Sequence, residues 1–137
     1  MPKELVVKTS RRSEFVDLTG ELDAYLGEIK AQSGLLTAFV PHTTTGITIN
    51  ENADPAVHRD IIEFTASLIP KGGDRDVAFQ HDEGNSDAHI KSSFFSPSLT
   101  VIVEDGKMCL GTWQSVYFTE FDGPRNRQCW VKTTCPP

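Results

Sequence analysis

The chain has 137 residues, a formal net charge of −6, 38% hydrophobic and 23% charged residues. That is enough for one domain with a real core, and the acidic balance leaves no overall basic footprint for nucleic acid or an anionic membrane. No apolar run approaches the roughly 18 residues of a spanning helix and no signal-peptide core opens the chain; the three cysteines show no CxxC spacing, so a cytoplasmic protein with reduced thiols is expected.

Lys3 to Thr9 and Glu14 to Leu18 read as short strands joined by the basic turn Ser10-Arg11-Arg12. Thr19 is the expected cap of a helix from Gly20 to about Gln32, with Leu22, Tyr25, Leu26 and Ile29 on one face and Gly34 where it stops. Leu35 to Val40 is an apolar run of buried-strand type, broken at Pro41, and Gly46 to Asn50 alternates as another strand. Asp54-Pro55 starts a second helix, an acid at the cap followed by proline in the first turn. It runs to about Ile69, with Val57, Ile61, Phe64 and Leu68 toward the core, and ends at Pro70-Lys71-Gly72-Gly73.

Val77 to Gln80 reads as a short strand, and Ser86 as the cap of a short helix from Asp87 to Phe95, closed by Ser96-Pro97. Leu99 to Val103 and Lys107 to Trp113 flank the hairpin signal Glu104-Asp105-Gly106. Ser115 to Phe121 and Gln128 to Thr133 are the last two strands, and Cys109 and Cys129, in strand-like runs, are expected to be buried. Strands with three interspersed helices and no strict βαβ alternation predict a single α+β domain over residues 1–137, built on a largely antiparallel sheet or sandwich.

The segment His81-Asp82-Glu83-Gly84-Asn85-Ser86-Asp87-Ala88-His89 holds the chemistry. A zinc-like ion takes neutral imidazole nitrogens, each steadied by an acceptor behind it. Gly84 allows a bend that brings His81 and His89 together, with Asp82, Glu83 and Asp87 as acceptors or as a general base. The alternative is an exposed loop histidine and a polar helix start. His42, in Pro41-His42-Thr43-Thr44-Thr45-Gly46, is a third ligand or a histidine bonded to a backbone carbonyl, and Gly46 leaves room for a ligand against the main chain. His58 reads as a surface or interface residue.

Other polar groups are less specific. Asp54 is explained as a cap, whereas Glu51 and Asn52 are free to face a pocket. Trp113 and Gln114, after Gly111-Thr112, either line a pocket or pack. Arg125 and Arg127 flank a turn and suit an anion or solvent. No Gly-x-Ser-x-Gly element or activated cysteine supports nucleophilic catalysis.

Pro41-His42-Thr43-Thr44, Asn50-Glu51-Asn52-Ala53-Asp54-Pro55, the segment from His81 to His89 and the block Ser98 to Val116, continued by Phe121-Asp122-Gly123-Pro124-Arg125, together resemble the YjbQ family (UPF0047) over nearly the whole chain. The resemblance implies a jelly-roll-like antiparallel sandwich and a homotrimer with a metal pocket near the subunit interface, ligated by His42, His81 and His89. Some members are described as secondary thiamine-phosphate synthases, which join a pyrimidine diphosphate to a thiazole phosphate. The expectation is therefore an enzyme using a divalent metal, zinc by ligand type, on a small phosphorylated substrate. Glu83 or Asp87 is its acid–base group and Arg125 its phosphate clamp; Thr43, Thr44, Glu51, Asn52, Asn85, Trp113 and Gln114 complete the substrate site. Pyrophosphate is usually handled with magnesium and oxygen ligands, and a histidine-rich site suits water activation better. A metal-dependent hydrolase of a small phosphorylated metabolite, with Glu83 as base, is the alternative, and a non-catalytic trimeric metal- or ligand-binding module is the third.

Overall fold

The computed structural model describes residues 1–74 and 77–136. Among them the order is β1 (Lys3–Lys8), β2 (Glu14–Asp17), α1 (Thr19–Glu28), β3 (Gly34–Phe39), β4 (Thr45–Glu51), α2 (Pro55–Leu68), α3 (Ser86–Phe94), β5 (Ser98–Glu104), β6 (Lys107–Met108), β7 (Gln114–Glu120) and β8 (Asn126–Thr133). The strands form two sheets, β1-β8-β3-β5-β6 and β2-β7-β4, antiparallel at every pairing. The α+β antiparallel sandwich is thus established.

The larger sheet alternates along its strands, as one core face and one open face require. Val7, Leu36, Val103 and Val131 point inward and are at most 2% exposed, whereas Val6, Leu35 and Ile102 point out. The smaller sheet is covered on both faces. Val116 and Phe118 of β7 enter the sandwich core, and Tyr117 meets the ring of His58 on α2. Helix α3 lies along β4, where Ser92 Oγ donates to the Thr45 carbonyl at 2.6 Å. Leu22 and Leu26 of α1 are wholly buried in the same core.

Both segments predicted as turns between strands carry the chain from one sheet to the other. β1 pairs with β8 and β2 with β7, so neither β1–β2 nor β7–β8 is a hairpin. The two crossings are bonded to each other: Thr9 N–H donates to the Arg125 carbonyl and Gly123 N–H to the Arg12 carbonyl, both at 3.0 Å.

Several local expectations are corrected. α1 ends at Glu28, with Lys30 in the left-handed region (φ 54°), well before Gly34. Thr19 does not cap it: its N–H donates to Asp17 Oδ1, and its hydroxyl accepts the Val116 N–H, both at 2.9 Å. α2 starts as predicted, with Asp54 Oδ1 accepting the Ala56 N–H at 2.9 Å, yet none of its residues is fully buried. Phe64 and Leu68 are 70% and 67% exposed, because the helix turns His58 toward Phe15 and Tyr117 instead of turning those residues inward. Periodicity marks an apolar stripe but not what covers it.

Val77 to Gln80 is not a strand; Ala78 makes a single bridge to Gly73, and Val77 is exposed. β6 stops at Met108, and Gly111 to Trp113 form a turn in which Gln114 Oε1 accepts the Gly111 N–H at 2.8 Å, leaving Trp113 63% exposed. Cys109 is exposed, whereas Cys129 is buried and burial pushes its thiol up to about 11. Asn85, not Ser86, occupies the cap position of α3, and it makes no side-chain cap bond.

Candidate functional site

The densest chemistry lies where the loop after Gln80 enters α3. Gly84 takes φ 74°, a left-handed turn that suits glycine and carries the chain back on itself. His89 sits in the first turns of α3, and its ring meets that of His81 edge to face, with centroids 5.5 Å apart and planes at 90°. The pair lines an open groove of about 420 Å³ with Ala78, Phe79, Gln80, Ser86 and Ile90. A recess of about 170 Å³ shares Phe79, His81 and Ser86 with it and adds Lys71. Glu83 Oε2 lies 3.6 Å from His81 Nε2, an ion-pair distance once that ring is protonated. No ring nitrogen of His89 has a hydrogen-bond partner among the described residues.

Buried charge holds this loop and helix in place. Arg12 donates from Nη1 and Nη2 to Asp87 Oδ2 and Oδ1, both at 3.0 Å, and Lys91 Nζ donates to Oδ2 at 3.1 Å. Asp87 is 1% exposed. Burial pushes its carboxyl up, but the hydrogen bonds and charges of Arg12 and Lys91 outweigh that and hold it below the ordinary value. Next to it, Asn85 Nδ2 donates to Asp122 Oδ2 at 2.9 Å, and Arg125 donates to the same oxygen at 3.2 Å. Arg125 is therefore tied to its own turn, and Asn85 joins that turn to the start of α3.

His42 stands apart from this pair. Its Nε2 lies 2.9 Å from the Gln128 N–H and accepts it, so the neutral ring carries its proton on Nδ1. Burial, then the charge of Arg127, lowers its pKa from the ordinary histidine value. Thr44 and Arg127 belong to a buried ion pair that the sequence reading did not single out. Arg127 donates to both oxygens of Glu120, at 2.8 and 2.7 Å, and to Thr44 Oγ1 at 2.8 Å. Thr43 is exposed. Gly46 is small for a structural reason: a Cβ there would lie 2.6 Å from Phe95 Cβ, so the close approach is that of α3's end, not a ligand.

The remaining predicted site residues sit at the other end of β4. Glu51 pairs with Gln114 and Thr45 with Glu120, so about 20 Å of strand separates the Glu51 end from the Thr44 end. There Glu51 Oε2 accepts the Asp54 N–H at 3.3 Å, and Asn52 Nδ2 donates to Ser115 Oγ at 3.1 Å. Glu51, Asn52, Trp113 and Gln114 form one polar corner; they do not join the groove lined by His81 and His89.

Comparison with known proteins decides the family. The family described as UPF0047 protein YjbQ-like matches residues 3–135. The chain belongs to the YjbQ family. A UPF0047 protein of Methanocaldococcus jannaschii is 54% identical over 92% of this chain and 88% of its own, and YugU of Bacillus subtilis is 48% identical over 96% and 98%. A crystal structure of a YjbQ/UPF0047 family protein from Clostridium acetobutylicum superposes with a TM-score of 0.90 at 49% identity, covering 96% of this chain and 98% of that one.

The metal ligands implied for a YjbQ-family protein fit this fold only in part. Among the described residues no group of three or more His, Cys, Asp or Glu side chains stands ready for an ion. His81 and His89 converge, whereas His42 has its available lone pair engaged by Gln128. One chain thus offers two imidazoles, fewer than the three protein ligands of a catalytic zinc. The signal that could have flagged Glu120, Arg127, Arg12 and Lys91 is weak: isolated charges next to strand or helix residues, whose partners lie far away in sequence.

Proposed function

We propose that this chain is an enzyme acting on a small phosphorylated metabolite, with its reacting centre in the groove of His81 and His89. What carries the reading is the pair itself: two imidazoles edge to face at 5.5 Å on an open groove, with no hydrogen-bond partner on the His89 ring among the described residues and Glu83 3.6 Å from His81. Such a pair can hold opposite protonation states, one ring giving a proton to a departing oxygen while the other takes one from the attacking group. Glu83, 3.6 Å from His81, is the acid–base partner. Asp87, clamped by Arg12 and Lys91, holds α3 and the ring of His89 in position. Lys71, beside His81 in the adjoining recess, is a cation for phosphate oxygens.

The first reaction proposed is thiamine-phosphate formation, in which a pyrimidine diphosphate joins a thiazole phosphate as pyrophosphate departs. Hydrolysis of a small phosphate ester is the second, favoured by the uncommitted ring of His89, which suits activation of water. A divalent ion, zinc by ligand type, would be held by His81 and His89 with a further donor from outside the chain, for which assembly as a homotrimer is proposed. When bound, it would polarise a phosphoryl oxygen. The test is purified protein assayed for metal content, oligomeric state, thiamine-phosphate formation and hydrolysis of a phosphate-ester panel, beside His81→Ala and His89→Ala. Loss of one activity in both variants, with unfolding unchanged, supports the reading and identifies the reaction. Turnover unaffected by either substitution overturns it.

A further inference from the structure

A second groove, of about 620 Å³, runs between the β1–β2 crossing and α2, lined by Arg11, Ser13, Phe15, His58, Arg59 and Glu63 among others. His58 is fixed there on three sides. Its ring stacks on Phe15 at 4.8 Å and meets Tyr117 edge-on at 4.3 Å, and its Nε2 lies 2.7 Å from the Glu51 carbonyl. A carbonyl only accepts, so Nε2 bears the proton, and the neutral ring keeps a lone pair on Nδ1. That nitrogen has no partner among the described residues.

The charges around it are uneven in their commitments. Glu14 is occupied at the crossing, accepting the Ser10 N–H at 2.6 Å and its hydroxyl at 3.0 Å. The side chains of Arg11, Arg59 and Glu63 make no hydrogen bond or ion pair among the described residues. Pro55, at the start of α2, also lines the groove, next to the Asp54 carboxylate that caps that helix. Two unengaged guanidinium groups and an anchored imidazole with a free acceptor favour a dianion carrying a proton donor.

We propose that this groove binds a phosphate monoester, with Arg11 and Arg59 on the phosphate oxygens and His58 Nδ1 accepting a hydroxyl or N–H of the ligand. The site is distinct from the groove of His81 and His89 and does not depend on the activity proposed for it. 4-Hydroxyphenyl phosphate, which carries a hydroxyl donor, serves as the probe, titrated by calorimetry at low salt into wild-type protein, the double variant Arg11→Gln/Arg59→Gln and Glu63→Gln, with 4-hydroxybenzoate as the carboxylate arm. The substituted arginines are not buried, so the variants retain the fold, and a circular dichroism melt checks this. Binding weakens by about tenfold or more in the double variant and tightens in Glu63→Gln, a gain that a damaged fold would not produce. The imidazole NMR signals of His58 shift on titration in wild type and not in the double variant, while any shift of His81 and His89 is the same in both. Equal affinity in wild type and double variant, no binding to wild type, or shifts confined to His81 and His89 would each overturn the site; tighter binding of 4-hydroxybenzoate would overturn the phosphate assignment.

Discussion

Two clusters of polar side chains in this chain look alike in composition and differ in what their atoms are doing. At Glu120 the carboxylate itself is fully engaged: it is 0% exposed and accepts from Thr9 Oγ1, from Arg127 Nε and Nη2, and from the N–H groups of Phe121 and Asp122. Around His81 and His89 the donors face an open groove, with no partner on His89 among the described residues. The first cluster joins the strands where the chain crosses between sheets. The second contributes little to holding the fold, and that leaves it free to act on something else. Composition does not separate the two; the completeness of hydrogen bonding does.

The difference is sharpest in the response to substitution. Glu120→Ala leaves the Arg127 guanidinium buried without its counter-charge and should cost about 3–5 kcal/mol, read from denaturant unfolding. An unfolding free energy within error of wild type would erase the distinction drawn here. Asp87→Asn keeps the shape and removes the charge facing Arg12 and Lys91, at an expected cost of about 2–3 kcal/mol. Its pH dependence carries a sign. The folded carboxyl lies below its unfolded value, so the stability it gives is present above the ordinary carboxylate range and is lost as pH falls through the folded value. That acid limb should flatten in Asp87→Asn, as unfolding midpoints across acidic pH will show.

Gly46→Ala tests the packing of α3 on β4. The new methyl falls 2.6 Å from Phe95 Cβ and from the Phe95 carbonyl oxygen, and overpacking of this kind costs about 1–3 kcal/mol in a thermal or denaturant melt. At the other extreme, His81→Ala should change stability by about 0.5 kcal/mol or less, since the ring is exposed and its ion-pair partner among the described residues is the exposed Glu83. Turnover in the same variant should fall on the order of a hundredfold or more. A large stability loss with no kinetic effect would move this histidine into the structural class.

Much of this contrast was hidden in the sequence for one reason. A motif records which residues are near one another along the chain, whereas hydrogen-bond saturation depends on partners far away. Asp87 reads as an acid–base candidate until Arg12, 75 positions earlier, is seen to clamp it. Arg127 reads as a solvated turn arginine until Glu120 is seen to bury it. His58 was the least promising histidine, and its anchorage to Phe15, Tyr117 and Glu51 comes from three separate elements. The apolar stripe of α2 was visible, but its orientation was set by the fit of His58 and not by the hydrophobicity of Phe64 and Leu68.

Local chemistry alone determined most of the strands, though not the runs Val77 to Gln80 and Cys109 to Trp113, the start of α2 by Asp54 and Pro55, the β5–β6 turn by Asp105 and Gly106, and the family by the order of its motif blocks. Those features depend on neighbours within a few positions, where dihedral preference and side-chain period suffice. Only the tertiary structure decided that the β1–β2 and β7–β8 connections change sheets, that His42 engages Gln128 and not the pair His81 and His89, and that Glu51 and Trp113 lie at the far end of β4. These are long-range pairings, fixed by which buried charges and apolar faces can all be satisfied at once, a condition no segment meets alone.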